Sequence, residues 1–99
     1  MSRGPKWFMA KRGRKDANHA SIRDALRKLG HFVVDTSACG DGVLDLLVYD
    51  RLNNAVWLEV KSPDGKLRIS QLEFISKLDA RGIHHAVART LDEALEAIR

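Results

Sequence analysis

The chain has 99 residues, with 17 basic against 13 acidic side chains and one cysteine. That length holds a single domain, and one cysteine excludes an internal disulfide framework or a four-cysteine zinc site. With 44% hydrophobic and 30% charged residues the composition is that of a folded domain, and no apolar run approaches the ~20 residues that cross a bilayer.

Charge is distributed unevenly. Residues 1–15 carry Arg3, Lys6, Lys11, Arg12, Arg14 and Lys15 and no acid, a net +6, while the rest of the chain sums to −2. This segment has no periodicity and contains Gly4, Pro5 and Gly13, so a flexible basic arm over 1–15 is expected, followed by one domain over 16–99. A basic arm suits a polyanion, most often nucleic acid, with Lys11, Arg12, Arg14 and Lys15 as candidate phosphate contacts. Its basic start lacks the apolar stretch of a signal peptide, and a cytoplasmic protein is expected.

Asp16 or Asn18 can cap a helix running to Leu29, with Ile22, Leu26 and Leu29 as its apolar stripe and Gly30 as its stop. His31 to Thr36 reads as a strand. Cys39-Gly40-Asp41-Gly42 is a turn. Val43 to Tyr49 is nearly all apolar, as in a strand buried on both faces, and Val56 to Lys61 is the next strand. The following helix runs to Arg81 with Ile69, Leu72, Ile75 and Leu78 as its stripe; it starts either near Arg68 or at a Ser70–Glu73 capping box. Ile83 to Ala88 is a last strand. Thr90 and Glu93 form another capping box for a short final helix with Leu91, Leu95 and Ile98 inward. The order α-β-β-β-α-β-α predicts an α/β domain, a mixed central sheet flanked by helices.

Asp45 interrupts an apolar strand, and a carboxylate buried alone costs several kcal/mol. Glu59 and Lys61 alternate with Leu58 and Val60, so both point to one face of the next strand. Pairing Asp50 with Asn54 leaves a three-residue loop. In that register Asp45 lies opposite Glu59, with Cβ atoms roughly 4.5–5.5 Å apart. Two carboxylates so close repel unless a cation lies between them. Together with a backbone carbonyl, assigned to Val60, they suit Mg²⁺ or Mn²⁺. Lys61 on the same face can orient a water or help to deprotonate it, an assembly for metal-assisted phosphodiester hydrolysis. The alternative is a structural ion pair between Lys61 and either carboxylate. Cys39 has no activating base beside it, and His84 and His85 face opposite ways, so neither makes a site.

At these residues the sequence resembles the PD-(D/E)XK nuclease superfamily, and within it the VRR-NUC and Holliday-junction-resolvase-like type. The resemblance lies in Gly40-Asp41-Gly42-Val43-Leu44-Asp45, in Trp57-Leu58-Glu59-Val60-Lys61 and in a following helix that bears Gln71. It departs from the family name at Leu44, where proline is expected. It implies a restriction-endonuclease-like fold, metal binding by Asp45 and Glu59, action of Lys61 on the water, and support of the site by Gln71. Relatives often carry Glu or Gln early in the first helix; here Asn18 and His19 stand there, His19 as a weak ligand, a phosphate contact or an exposed helix-start histidine. The implied function is endonucleolytic cleavage, with DNA (branched DNA included) as the favoured substrate, by a homodimer with no nucleotide cofactor and no membrane partner. The rival readings are a catalytically inactive nucleic-acid-binding module of the same fold and a small interaction protein.

Overall fold

The computed structural model describes residues 18–99. The arm over 1–15, its four candidate phosphate contacts and the Asp16 cap lie outside the described residues. Helix α1 covers 18–28 and is followed by β1 (Val33–Asp35), β2 (Leu46–Tyr49), β3 (Ala55–Val60), α2 (Ile69–Ala80), β4 (His85–Ala88) and α3 (Leu91–Ala97). The order is the one expected, and the four strands form one sheet, β1-β2-β3-β4. The first two pairings are antiparallel. The β3–β4 pair is parallel, joined by a crossover through α2.

The β2–β3 hairpin sets the register of the site. The Asp50 N–H donates to the Asn54 carbonyl at 2.9 Å, closing a loop of three residues. The Asp50 carboxylate accepts the Leu52 and Asn54 N–H groups at 2.9 Å each, and Asn53 takes φ 65°, the left-handed residue of a three-residue hairpin loop. Leu46 therefore pairs with Leu58 and Val48 with Val56.

Alternation along β3 separates two layers. Val56, Leu58 and Val60 face a core with Ile22 and Leu26 of α1, Val33, Leu46, Val48, Ala88, Ala94 and Ile98. Trp57 and Glu59 face the other way, towards α2, where Phe74 meets the Trp57 ring edge-on at 5.4 Å. At ~25 cal/mol per Å², each fully buried Leu or Val side chain contributes about 1.5–3 kcal/mol to holding these layers.

Several local expectations are corrected. Leu29 leaves the α1 stripe because the helix ends at 28, and it is exposed. Asn18 is already helical, so it is not the cap. The strand expected from Val43 begins at Leu46. Helix α2 starts at the earlier of the two sites, with Arg68 as N-cap. Its buried residues are Gln71 and Leu78, while Ile69 and Leu72 are exposed: the first turn of α2 presents its polar side to the sheet. Thr90 does cap α3, its Oγ1 accepting the Glu93 N–H at 3.1 Å. Among the described residues no helix is long and apolar enough to cross a membrane.

Candidate active site

The ladder between β2 and β3 stops at Leu46 and Leu58, but the same register runs on to set Asp45 against Glu59. There side chains take over from the backbone. The Asp45 N–H donates to Glu59 Oε1 at 3.2 Å, and the Val60 N–H donates to Asp45 Oδ2 at 3.1 Å. Hydrogen bonds to charged groups contribute about 1.5–3 kcal/mol each, which offsets part of the cost of burying the pair. Both residues are buried.

Gln71 closes the other side of Glu59. Its Nε2 donates to Glu59 Oε2 at 2.7 Å. Its Oε1 accepts the Arg68 N–H at 2.9 Å, one of the orphan donors at the start of α2. One side chain thus serves as helix cap and as carboxylate clamp, and the two bonds fix which way its amide points. Lys61 Nζ lies 3.4 Å from the same Glu59 oxygen, and its side chain keeps 14% of its surface exposed. The structure therefore brings together Asp45, Glu59, Lys61 and Gln71 on the α2 side of the sheet.

Two supports were missed in the sequence. Asn18 Nδ2 donates to the Lys61 carbonyl at 2.8 Å and lies 3.4 Å from that of Arg89, tying α1 to the end of β3. Arg89 in turn reaches across to the Gly65 carbonyl at 2.7 Å, pinning the loop that follows Lys61. A polar residue at a helix start reads as a cap, and nothing local distinguishes one that bonds 43 residues away. The third support is the turn before Asp45. A Cβ on Gly42 would sit 2.2 Å from the Ser70 carbonyl oxygen and 3.1 Å from the Gln71 nitrogen. The glycine thus lets the turn pack against α2 at the residue that clamps Glu59.

His19 is not exposed, as the sequence suggested, but 2% accessible. Its Nε2 is 3.6 Å from Asp35 Oδ1. Asp35 pairs with Leu46 and so belongs to the α1 side of the sheet, whereas Asp45 and Glu59 alternate to the α2 side. Burial pushes the Asp35 carboxyl up, but the Ser37 hydroxyl and amide and the Arg23 guanidinium outweigh it and bring it down to about 2. The Arg23 guanidinium, 2.8 Å from Asp35 Oδ2, is itself held more firmly charged by Asp24 and Asp35.

The donor set fits a hard divalent cation. The carboxylates offer hard oxygen ligands, since an ionised carboxylate is an acceptor only. Val60 points its N–H at Asp45, and in an extended strand its carbonyl leaves the backbone on that same side. Among the described residues no three His, Cys, Asp or Glu side chains gather into a metal-binding group. Two carboxylates, one carbonyl and waters make up the kind of shell that Mg²⁺ accepts and that Zn²⁺ sites do not use.

A search of curated proteins finds no match. A solved structure described as a VRR-NUC domain aligns with a TM-score of 0.67 at 23% identity, over 85% of this chain and 92% of its own, a likeness that shows the fold. The model of the VRR-NUC domain family matches residues 1–91. With that match spanning nearly the whole chain, and with the mixed sheet beneath it, the chain belongs to the VRR-NUC family of nuclease-type, nucleic-acid-acting domains.

Proposed function

We propose that this domain is a divalent-metal-dependent endonuclease that hydrolyses phosphodiester bonds, with DNA as its substrate and Mg²⁺ or Mn²⁺ as its cofactor. The observation that carries the reading is the buried pair Asp45 and Glu59, with Gln71 and the partly exposed Lys61 both meeting Glu59 Oε2. A structural ion pair would not need the second carboxylate or its own hydrogen-bonded clamp.

Asp45, Glu59 and the Val60 carbonyl hold the cation. When bound, it supplies an acidified water and neutralises charge on the phosphate. Gln71 keeps Glu59 from swinging away, with its own far end locked to Arg68. Lys61, the group with solvent access, orients the attacking water and assists its deprotonation. Asn18 holds the Lys61 backbone so that the ammonium stays at the mouth of the site. His19 is assigned to the pair with Asp35. Lys11, Arg12, Arg14 and Lys15 contact phosphates along the substrate, and two copies of the chain form a homodimer with two active sites.

The test is a panel of labelled duplex, flap, fork, four-way-junction and single-stranded substrates with Mg²⁺, Mn²⁺ or EDTA, using the full chain and Asp45→Asn. Cleavage with either metal, lost in EDTA and in the variant, is the expected result. Binding without cleavage under every condition would make the domain an inactive binding module.

A further inference from the structure

The sheet face that holds Asp45 and Glu59 continues past them. The next row across the strands is Val34, Leu47 and Trp57, and beyond it Phe32 stands beside Tyr49. Below the site α2 covers β3 and β4, where Phe74 meets Trp57 and Asp79 lies 2.6 Å from His85. Over β1 and β2 the face is open, with Phe32 63% and Val34 37% exposed. Tyr49 donates its N–H to the Phe32 carbonyl at 3.0 Å, and the two rings stack with centroids 5.0 Å apart. The exposure of Phe32 therefore lies on its edge and its opposite ring face.

The flank of α2 that overlooks this open face carries cations. Asp79 marks the β4 flank, and the approach of Gly42 to the Ser70 carbonyl marks the β2 flank. At about 100° per residue Lys77 and Arg81 fall on the Ser70 flank. Both are exposed, and Arg81 Nη1 donates to the Lys77 carbonyl at 3.1 Å. The acids nearby are turned elsewhere. Asp79 is on the far flank, the Asp50 carboxylate accepts two loop amides, and Glu73 lies about 160° around the helix from Gln71, on its outer side. A stacked ring pair edged by cations fits the bases and phosphates of an unpaired nucleic-acid strand. A second copy of the chain fits less well: the exposed parts of two rings and two aliphatic side chains fall well short of the about 800 Å² per partner of a stable interface.

We propose that Phe32, backed by Tyr49, is a stacking platform for an unpaired base of the substrate, with Lys77 and Arg81 on the phosphates of that strand. The inference rests on the nuclease reading above for its ligand. Asp45, Leu47 and Tyr49 alternate to one face of one strand, so the path from platform to site runs over continuous sheet surface. Four strand residues separate Tyr49 from Asp45, about 13 Å, so the stacked base lies a short run of nucleotides from the cleaved bond. The substrate class is then DNA with a single-stranded segment beside that bond, because a continuous duplex keeps its base faces inside its own stack.

The experiment measures binding by fluorescence anisotropy with the full chain in the Asp45→Asn background, where the DNA stays whole. The probes are a blunt duplex and the same duplex with a short oligothymidine tail of either polarity. The expected result is that a tail of one polarity tightens binding about fivefold or more. Phe32→Ala and Phe32→Leu should remove that gain and Phe32→Trp should keep it. Affinity for the blunt duplex should match the parent in all three variants, which a folding defect would not leave intact. A 5-iodouracil placed along the tail should crosslink to Phe32 on irradiation. Equal affinity for tailed and blunt DNA, or a tail gain that survives in Phe32→Ala, overturns the platform, and cleavage by the parent protein with Mn²⁺ then leaves the nuclease standing. Phe32→Ala that turns a dimer into a monomer in light scattering, with the tail gain intact, overturns it in favour of a contact between copies. A Phe32-dependent gain without cleavage in either metal upholds the platform and overturns the nuclease reading instead.

Discussion

Gly42 and Ser70 are 28 positions apart in the chain, yet a single Cβ on the glycine would sit 2.2 Å from the serine carbonyl oxygen. Gly42 also has φ 79°. Gly42→Ala therefore meets both backbone strain and a collision with backbone that cannot rotate away. Gly40, at φ 75°, has nothing within 4 Å of its built Cβ, so Gly40→Ala meets the strain alone. Left-handed strain costs about 1–3 kcal/mol. Urea unfolding should place Gly40→Ala within that range and Gly42→Ala clearly beyond it. Equal losses would show that the turn gives way without moving α2.

The two carboxylates should respond differently to amide substitution. Asp45→Asn keeps an oxygen for the Val60 N–H. Glu59→Gln brings an NH₂ into a place ringed by donors, since the Asp45 N–H, Gln71 Nε2 and Lys61 Nζ all approach Glu59 oxygens. One unsatisfied contact of this kind costs about 1–3 kcal/mol. Both variants should lose cleavage, but Glu59→Gln should also melt lower than Asp45→Asn in EDTA. A double variant Glu59→Gln/Gln71→Glu, which restores an acceptor opposite the new amide, should recover part of that loss.

Much of this site was legible in the sequence because it depends on a hairpin. Asp50, Asn54 and the alternation of β3 are local features, and they set Asp45 against Glu59 without reference to the rest of the fold. The α2 stripe was misjudged for the opposite reason. The spacing of Ile69, Leu72, Ile75 and Leu78 states which residues share a helix face, but not whether the sheet reaches that far, and at the first turn Gln71 takes the inward place through its bond to Glu59. His19 lies three and seven residues before Ile22 and Leu26, so the stripe that buries those two also buries it. The spacing carries that signal, although a histidine at a helix start fits an exposed end equally well.

Lys61→Ala should lower the cleavage rate by about 10²–10⁴, the range for a positioned proton-transfer group. Removing a cation 3.4 Å from Glu59 Oε2 should leave metal affinity unchanged or raise it. Calorimetric titration with Mn²⁺ checks the second point. A collapse of affinity would make Lys61 a brace for Glu59 instead of a group acting on water.

Acid stability should depend on Asp35. Its carboxyl is held down at about 2 in the folded protein against 3.8 as its ordinary value. The unfolded chain therefore binds the proton first as pH falls. The stabilisation is fully present above pH 4 and is lost between about pH 4 and pH 2. Unfolding free energies measured across that window should fall less steeply in Asp35→Asn than in the parent protein. Parallel slopes would show that the Arg23 and Ser37 contacts do not persist in solution.

Replacing Lys11, Arg12, Arg14 and Lys15 with alanine should weaken duplex binding and flatten its salt dependence. Each lost phosphate contact removes about 0.9 from the slope of log K against log salt. Cleavage at saturating DNA should persist, because Asp45, Glu59 and Lys61 are untouched. An unchanged slope would mean that these four side chains do not meet the phosphates.

The hairpin loop of three residues also bears on the order in which the molecule assembles. Closing Asp50 onto Asn54 fixes few residues, so the β2–β3 pair can form early and on its own. Gln71 and Lys61 reach their places by different routes: Gln71 only when α2 has crossed back over the sheet, and the Lys61 backbone only when Asn18 and Ala88 have arrived to bond it. A hairpin that forms first would bring the Asp45 and Glu59 carboxylates together before Gln71 arrives, and the parallel β4 pairing closes the longest loop of the sheet. In that order, cations in the refolding buffer should raise the folding rate more than they lower the unfolding rate, which stopped-flow refolding measures.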